Sequence, residues 1–399
     1  MEARLLQYIE DNKDILFSTL SELVKINTEN FITHGNENKG QDYLEKIYKE
    51  IALEVDSFTP DSVEGLTQNI DYMPGRNTDK RENLVAIFEG ENKEKNLMLA
   101  AHMDTMPLGD LNKWEDAPLS GLIKDGKIYG RGSGDDKFGL AVAWFLIKAL
   151  KDLGIKPSQN ILIGSYIDEE YGGGNGALGL ALKYPCDCVI NLDSSGFETE
   201  ALGGGCFKLK LVTTKNDKAI ASVFDVFTGV NLIKEELEKL HNTGKTTVRF
   251  SNFEGGKGGV KEATINIAIY TDMSKEETQA KLDSIVSRLT PELEKLNLAT
   301  DGFILTTRFF HYGEADKDSR EVELLTELIT ENTGEAPDTK GTCLSDLSLV
   351  LKYGSKNSFN YGMPRGSKTG GGAHQPNEHI ECEKLLDLTK IMAKLIMKI

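Results

Sequence analysis

Three stretches of apolar residues run directly into side chains that can hold metal ions. Residues 97–101, Leu-Met-Leu-Ala-Ala, end in His102-Met103-Asp104. Residues 161–167 end in Asp168-Glu169-Glu170, and residues 189–192 end in Asp193. Short apolar runs bounded by polar residues read as buried strands. In open α/β sheets, ligands bind in the crevice beyond the carboxyl ends of such strands. Two further clusters carry the same chemistry. One is Gly130-Arg131-Gly132-Ser133-Gly134-Asp135-Asp136-Lys137, ahead of an apolar helix; the other is Gly370-Gly371-Gly372-Ala373-His374-Gln375-Pro376-Asn377-Glu378. Taken singly, each cluster has an ordinary structural explanation. Asp135 and Asp136 could cap the helix that follows, and a lone His at a strand end is more often a hydrogen-bonded surface group. Gathered together, so many carboxylates would repel one another. A pair of divalent cations removes that repulsion.

The elements that must position these groups follow from hydrophobic spacing. Residues 5–25 and 43–51 have helical periodicity, and residues 54–82, with Pro60, Pro74 and Gly75, read as a long loop. Strands are expected at 84–88, 97–101, 161–167 and 188–192, and a buried helix at 138–153. Apolar strands alternating with helices predict an α/β fold whose mainly parallel sheet is covered by helices on both faces. After about residue 205 the pattern changes to β-α-β-β-α-β: strands at 207–213, 246–253, 263–271 and 303–310, helices at 219–240 and 276–289. That order is the split unit of a ferredoxin-like α+β domain. The expected division is 1–205 with 313–399 as the catalytic domain, and 206–312 as an inserted lid or dimerisation domain. Helices at 321–333 and 382–397 return to the first sheet.

Composition sets outer bounds. The 399 residues carry a formal net charge of −17, which disfavours nucleic acid and anionic membranes as partners. The N-terminus has no apolar signal core, and residues 138–150 are too short to span a bilayer. Five scattered cysteines, an odd number in a large chain, predict buried or partly buried thiols and a reducing, cytoplasmic location.

At Ala101-His102-Met103-Asp104-Thr105, at residues 129–137, at Asp168-Glu169-Glu170, at Asn191-Leu192-Asp193 and at residues 373–378, the chain resembles a zinc metallopeptidase family. That family contains acetylornithine deacetylase, succinyl-diaminopimelate desuccinylase, aminoacylases, carboxypeptidase G and dipeptidases. Five motifs in the right order, with a lid domain interrupting the catalytic sheet, extend the resemblance over essentially the whole chain. The resemblance implies a hydrolase that cleaves an amide bond in a small peptide or N-acylated amino acid. It implies two divalent metal ions per chain, zinc first, with Co2+ or Mn2+ as substitutes. In the implied roles Asp135 bridges the metals, His102 and Asp193 complete one site, and Glu170 and His374 complete the other. Glu169 is the general base. Asp104 accepts a hydrogen bond from His102 and fixes its tautomer. A cis peptide after Asp135 and a homodimer through the lid are implied as well.

The lid departs from the family pattern. Ala221 stands where many members carry a His, and His241 is a weak substitute better read as structural. The stretch after Gly255-Gly256 lacks the usual Asn, and the strand ending Thr271-Asp272-Met273 lacks the Arg that grips a substrate carboxylate. Arg308 and Arg365 are weak candidates for that grip; the simpler expectation is that both are solvated. A competing reading is a catalytically silent metal- or ligand-binding relative, although the retained Glu169 argues against it. Neither Gly130-Arg131-Gly132-Ser133-Gly134 nor Gly172-Gly173-Gly174 fits a nucleotide-binding fingerprint. No Gly-x-Ser-x-Gly elbow occurs, and Cys343 near Asp346 is a poor nucleophile candidate.

Overall fold

Side chains along residues 97–101 alternate between two separate cores. Leu97, Leu99 and Ala101 join a large cluster with the helices Glu2–Asp11, Lys13–Lys25, Lys137–Asp152, Arg320–Thr333 and Cys382–Lys398. Met98 and Ala100 join a smaller cluster with the helices Asn175–Lys183 and Leu347–Tyr353. A strand apolar on both faces needs a helical layer on each side, and the computed structural model has both. It describes residues 1–214, 221–255, 262–366 and 370–399, with the backbone alone at 221–223 and 255.

Two compact units emerge: Met1–Ala201 with Glu314–Ile399, and Leu202–Gly313. The first unit is built on a seven-stranded sheet. At its centre Gln159–Tyr166, Asn92–His102, Cys188–Asn191 and Phe359–Tyr361 lie side by side and parallel. Asn83–Phe88 and Glu54–Phe58 add antiparallel strands on one flank, and Phe197–Glu198 does so on the other. The fold is thus α/β with a mixed, mainly parallel sheet. In the second unit Gly203–Thr213 pairs antiparallel with Glu262–Thr271, which pairs with Thr247–Gly255, while Leu298–Ala299 and Phe303–Leu305 flank the other edge. With the helices Ala221–Leu240 and Lys275–Lys295, this is the β-α-β-β-α-β order of a ferredoxin-like unit.

Several local expectations are corrected. The helix expected over 5–25 is two helices that meet at Asn12, whose φ of −116° leaves the helical range while its backbone N–H and its side-chain amide both donate to the Tyr8 carbonyl (3.0 and 2.9 Å). The loop expected over 54–82 opens with the edge strand Glu54–Phe58. The strand expected over 303–310 stops at Leu305, and residues 219–220 of the expected lid helix lie outside the described residues. Gly139 matters for the site. A Cβ there would lie 2.8 Å from both Ala101 Cβ and Leu192 Cβ. Glycine therefore lets the Lys137–Asp152 helix start close against two strand ends. Among the described residues no helix is long and apolar enough to cross a membrane.

Candidate metal centre

His102 is the last residue of the Asn92–His102 strand and is fully buried. The Gln159–Tyr166 strand leads into Asp168, Glu169 and Glu170, and Cys188–Asn191 leads into Asp193. These are neighbouring parallel strands, so their carboxyl ends open on one crevice. Asp135 comes to the same place from the turn that starts the Lys137–Asp152 helix, and the Asp135–Asp136 peptide bond is cis. His374 arrives from the turn ahead of the His379–Glu381 strand.

The five side chains form two groups that share Asp135: His102, Asp135 and Asp193, and Asp135, Glu170 and His374, with ligand atoms within 4.8 Å of one another in each. The two oxygens of Asp135 face opposite ways. Oδ1 is 3.1 Å from His102 Nε2, and Oδ2 is 3.0 Å from His374 Nε2. Glu170 Oε2 lies 3.0 Å from the same His374 nitrogen, and Asp193 Oδ2 lies 4.0 Å from His102 Nε2. Two imidazoles with three carboxylates, one of them shared, form a donor set that suits a pair of borderline divalent ions. The site electrostatics favour cations. Burial would lower the pKa of His374, but Asp135 and Glu170 push it up to about 11. Burial raises the carboxyl pKa of Glu169, and repulsion from Asp193, Asp346 and Glu170 raises it further, with His102 opposing.

Asp104 acts differently from the sequence expectation. His102 Nδ1 donates to the Asp104 backbone carbonyl at 2.8 Å, and the nearer carboxylate oxygen is 3.6 Å away. A backbone acceptor fixes the tautomer just as well, leaving Nε2 as the lone-pair nitrogen. The carboxylate instead takes the backbone N–H groups of Glu169 (3.1 Å) and Glu170 (3.0 Å), and the Asn30 amide (2.7 Å). It therefore holds the turn that carries the acidic pair. Burial would raise the pKa of the Asp104 carboxyl, but His102, Asn30 and Arg81 keep it well below the usual carboxylate range.

Sequence reasoning missed several supports. Glu378 is fully buried, and its Oε1 accepts from the backbone N–H of Gly132 (3.0 Å), Gly134 (2.9 Å) and Asp135 (3.1 Å). Its other oxygen pairs with Arg131. One carboxylate thus shapes the loop that presents Asp135, four residues after His374. Arg76, from the expected long loop, donates to Asp168 Oδ1 (2.8 Å) and to the Glu170 carbonyl (2.6 Å). Asp168, with φ of 65°, is turned out of the metal groups by this pairing.

Neither arginine expected to be solvated is so: Arg308 is buried and Arg365 is half-buried. Arg365 pairs with Asp135 Oδ1 (3.0 Å) and with Asp193. Arg308, in the second unit, is 5% exposed and stacks 3.8 Å over the Phe310 ring, where its flat guanidinium finds apolar and π contact. His241 accepts from Val248 N at 3.1 Å within the same unit, a structural role. All five cysteines are free; Cys343 is exposed, against the expectation that every thiol is at least partly buried. The side chain of Ala221 and residues 256–260 lie outside the described residues.

The sequence profile of peptidase family M20/M25/M40 matches residues 98–398, a stretch that includes all five candidate ligands. The chain belongs to that family. It is a metallohydrolase, like an uncharacterized metallohydrolase of Methanocaldococcus jannaschii that is 24% identical over 440 residues, covering 94% of this chain and 97% of the relative. Among solved structures, the dipeptidase Dug1p of Saccharomyces cerevisiae is similar in fold, with a TM-score of 0.74 at 15% identity, covering 100% of this chain and 98% of that one. The YXEP protein of Bacillus subtilis, described as a dinuclear metal-binding peptidase of family M20, has a TM-score of 0.64 at 12% identity, covering 96% and 97%. The family fold and the paired ligand groups agree on a metal-dependent hydrolase.

Proposed function

We propose that this metallohydrolase cleaves an amide bond in a small peptide or N-acylated amino acid with two zinc ions. His102, Asp135 and Asp193 would hold one ion; Asp135, Glu170 and His374 would hold the other. The observation that carries the reading is the opposed pair of contacts made by the two oxygens of Asp135. Ions so placed supply Lewis acidity to a carbonyl oxygen and lower the pKa of a water.

The chain's own groups do the rest. Glu169 accepts the proton of the attacking water and passes it to the departing amine nitrogen. Its raised proton affinity suits both transfers, and its half-buried position at the edge of the crevice leaves it accessible. Asp104 keeps Glu169 and Glu170 in register through their backbone N–H groups. His102 keeps its Nδ1 on the Asp104 carbonyl, which turns Nε2 toward Asp135 and the crevice. A homodimer through the second unit completes the proposal. Exposed Phe250 and Phe253 on the Thr247–Gly255 edge strand, with Phe227 stacked on Phe253 at 6.3 Å, support such a contact. Free thiols throughout support a cytoplasmic location.

The test is hydrolysis of a panel of dipeptides and N-acetyl amino acids. Activity is expected to vanish with a chelator and to return with zinc or manganese. Glu169→Gln is expected to retain its metal while kcat falls ~100-fold or more, the usual weight of a general base. Unchanged turnover in that variant rejects the base assignment. Metal uptake with no turnover on any substrate points to the silent relative.

A further inference from the structure

The two ligand groups differ in one respect that their sequence motifs do not show. Arg365 Nη1 lies 3.0 Å from Asp135 Oδ1, the oxygen that also faces His102, and its Nη2 pairs with Asp193. The guanidinium therefore contacts two of the three ligands of the His102 group. The other oxygen of Asp135 faces His374, 3.0 Å from its Nε2. Arg365 is a largely covered cation, with its side chain 14% exposed. A guanidinium stays protonated at any pH the protein survives, so proton loss cannot relieve its competition with another cation. Its Nε is buried and makes no hydrogen bond among the described residues. Among the described residues, the carboxylates of Asp135 and Asp193 are what hold the head group.

We propose that Arg365 is a built-in counter-cation that makes the two metal positions unequal in affinity. The Asp135–Glu170–His374 position fills first. The His102–Asp135–Asp193 position fills only as the guanidinium yields its carboxylates. The proposal rests on the two-ion reading above and adds an order of filling and a residue that sets it.

The experiment is a titration of the full-length, chelator-stripped protein with Zn2+ against a chromophoric competitor, repeated with Co2+ by visible absorption. Wild type is expected to bind two ions in steps separated at least 10-fold. His374→Ala removes the tight step and Asp193→Asn removes the weak one. Arg365→Met is expected to tighten the weak step at least 10-fold and to leave the tight step in place. Arg365→Gln, which keeps hydrogen-bonding groups without the charge, guards against a folding defect and is expected to do the same. Thermal melts supply a second readout: the metal-free Arg365→Gln protein melts below wild type, and its gain on zinc binding is larger. Two ions bound with equal affinity by wild type overturn the proposal, as does a weak step that is unchanged or weaker in both variants. Fewer than two ions at saturation in wild type is a different result, and it overturns the two-ion reading itself.

Discussion

Replacing Asp104 by Asn separates a structural support from the chemistry it supports. The side chain is fully buried and accepts three hydrogen bonds, from Glu169 N, Glu170 N and the Asn30 amide. Asn30 cannot turn its amide over without losing its own bond from Ile32 N, at 2.9 Å. The new amide group must therefore place its NH2 against the Glu169 N–H. One buried donor then lacks an acceptor, a cost of ~1–3 kcal/mol. The two bonds that remain lose their charge assistance, about 1 kcal/mol each. Relief of repulsion among the neighbouring acids offsets part of this, leaving a net loss of ~2–4 kcal/mol. Urea unfolding in chelator at pH 7 measures it as a lower midpoint at unchanged slope.

The sign with pH follows from the same contacts. The Asp104 carboxyl is held below its usual range, so it contributes stability above the unfolded-state pKa, ~3.9, and loses that contribution as pH falls toward the folded value. The gap between wild type and Asp104→Asn is therefore full at neutral pH and narrows below pH ~4. A gap under ~0.5 kcal/mol at pH 7, the size of an ordinary surface substitution, refutes the reasoning. So does a gap that widens in acid.

Two further substitutions test the frame of the site. Glu378→Gln leaves Arg131 buried without a counter-charge and should cost ~3–5 kcal/mol in urea unfolding, with weaker zinc retention because a neutral amide oxygen holds the Asp135 loop less firmly. Asp135→Asn should bring the metal content measured by plasma emission to less than one ion per chain, whereas His374→Ala and Asp193→Asn should each keep one.

Much of this architecture was legible in the sequence because burial leaves a local mark. The apolar runs at 97–101, 161–167 and 188–192 needed covering on both faces, and their ends carry His102, the acidic pair and Asp193. The β-α-β-β-α-β order of the second unit was equally plain. What stayed hidden depends on long-range pairing. Glu378 meets the loop at residues 131–135 only through the fold, and Arg76 meets Asp168 across 92 positions. A polar side chain gives no sign in sequence of being buried with its partner. For the same reason Arg365 read as solvated, since its partners Asp135 and Asp193 come from distant segments; Arg308 is different, because the ring over it, Phe310, is only two residues away. The break at Asn12 was hidden too, because the apolar spacing runs on through a residue whose backbone leaves the helical range.

X-ray absorption at the zinc edge of the fully loaded protein tests the central claim most directly. A metal–metal vector of ~3.5–4 Å, with mixed nitrogen and oxygen ligands and lost in Asp135→Asn, is the predicted result. Two zinc ions with no such vector, or one that survives Asp135→Asn, would contradict a centre bridged by that carboxylate.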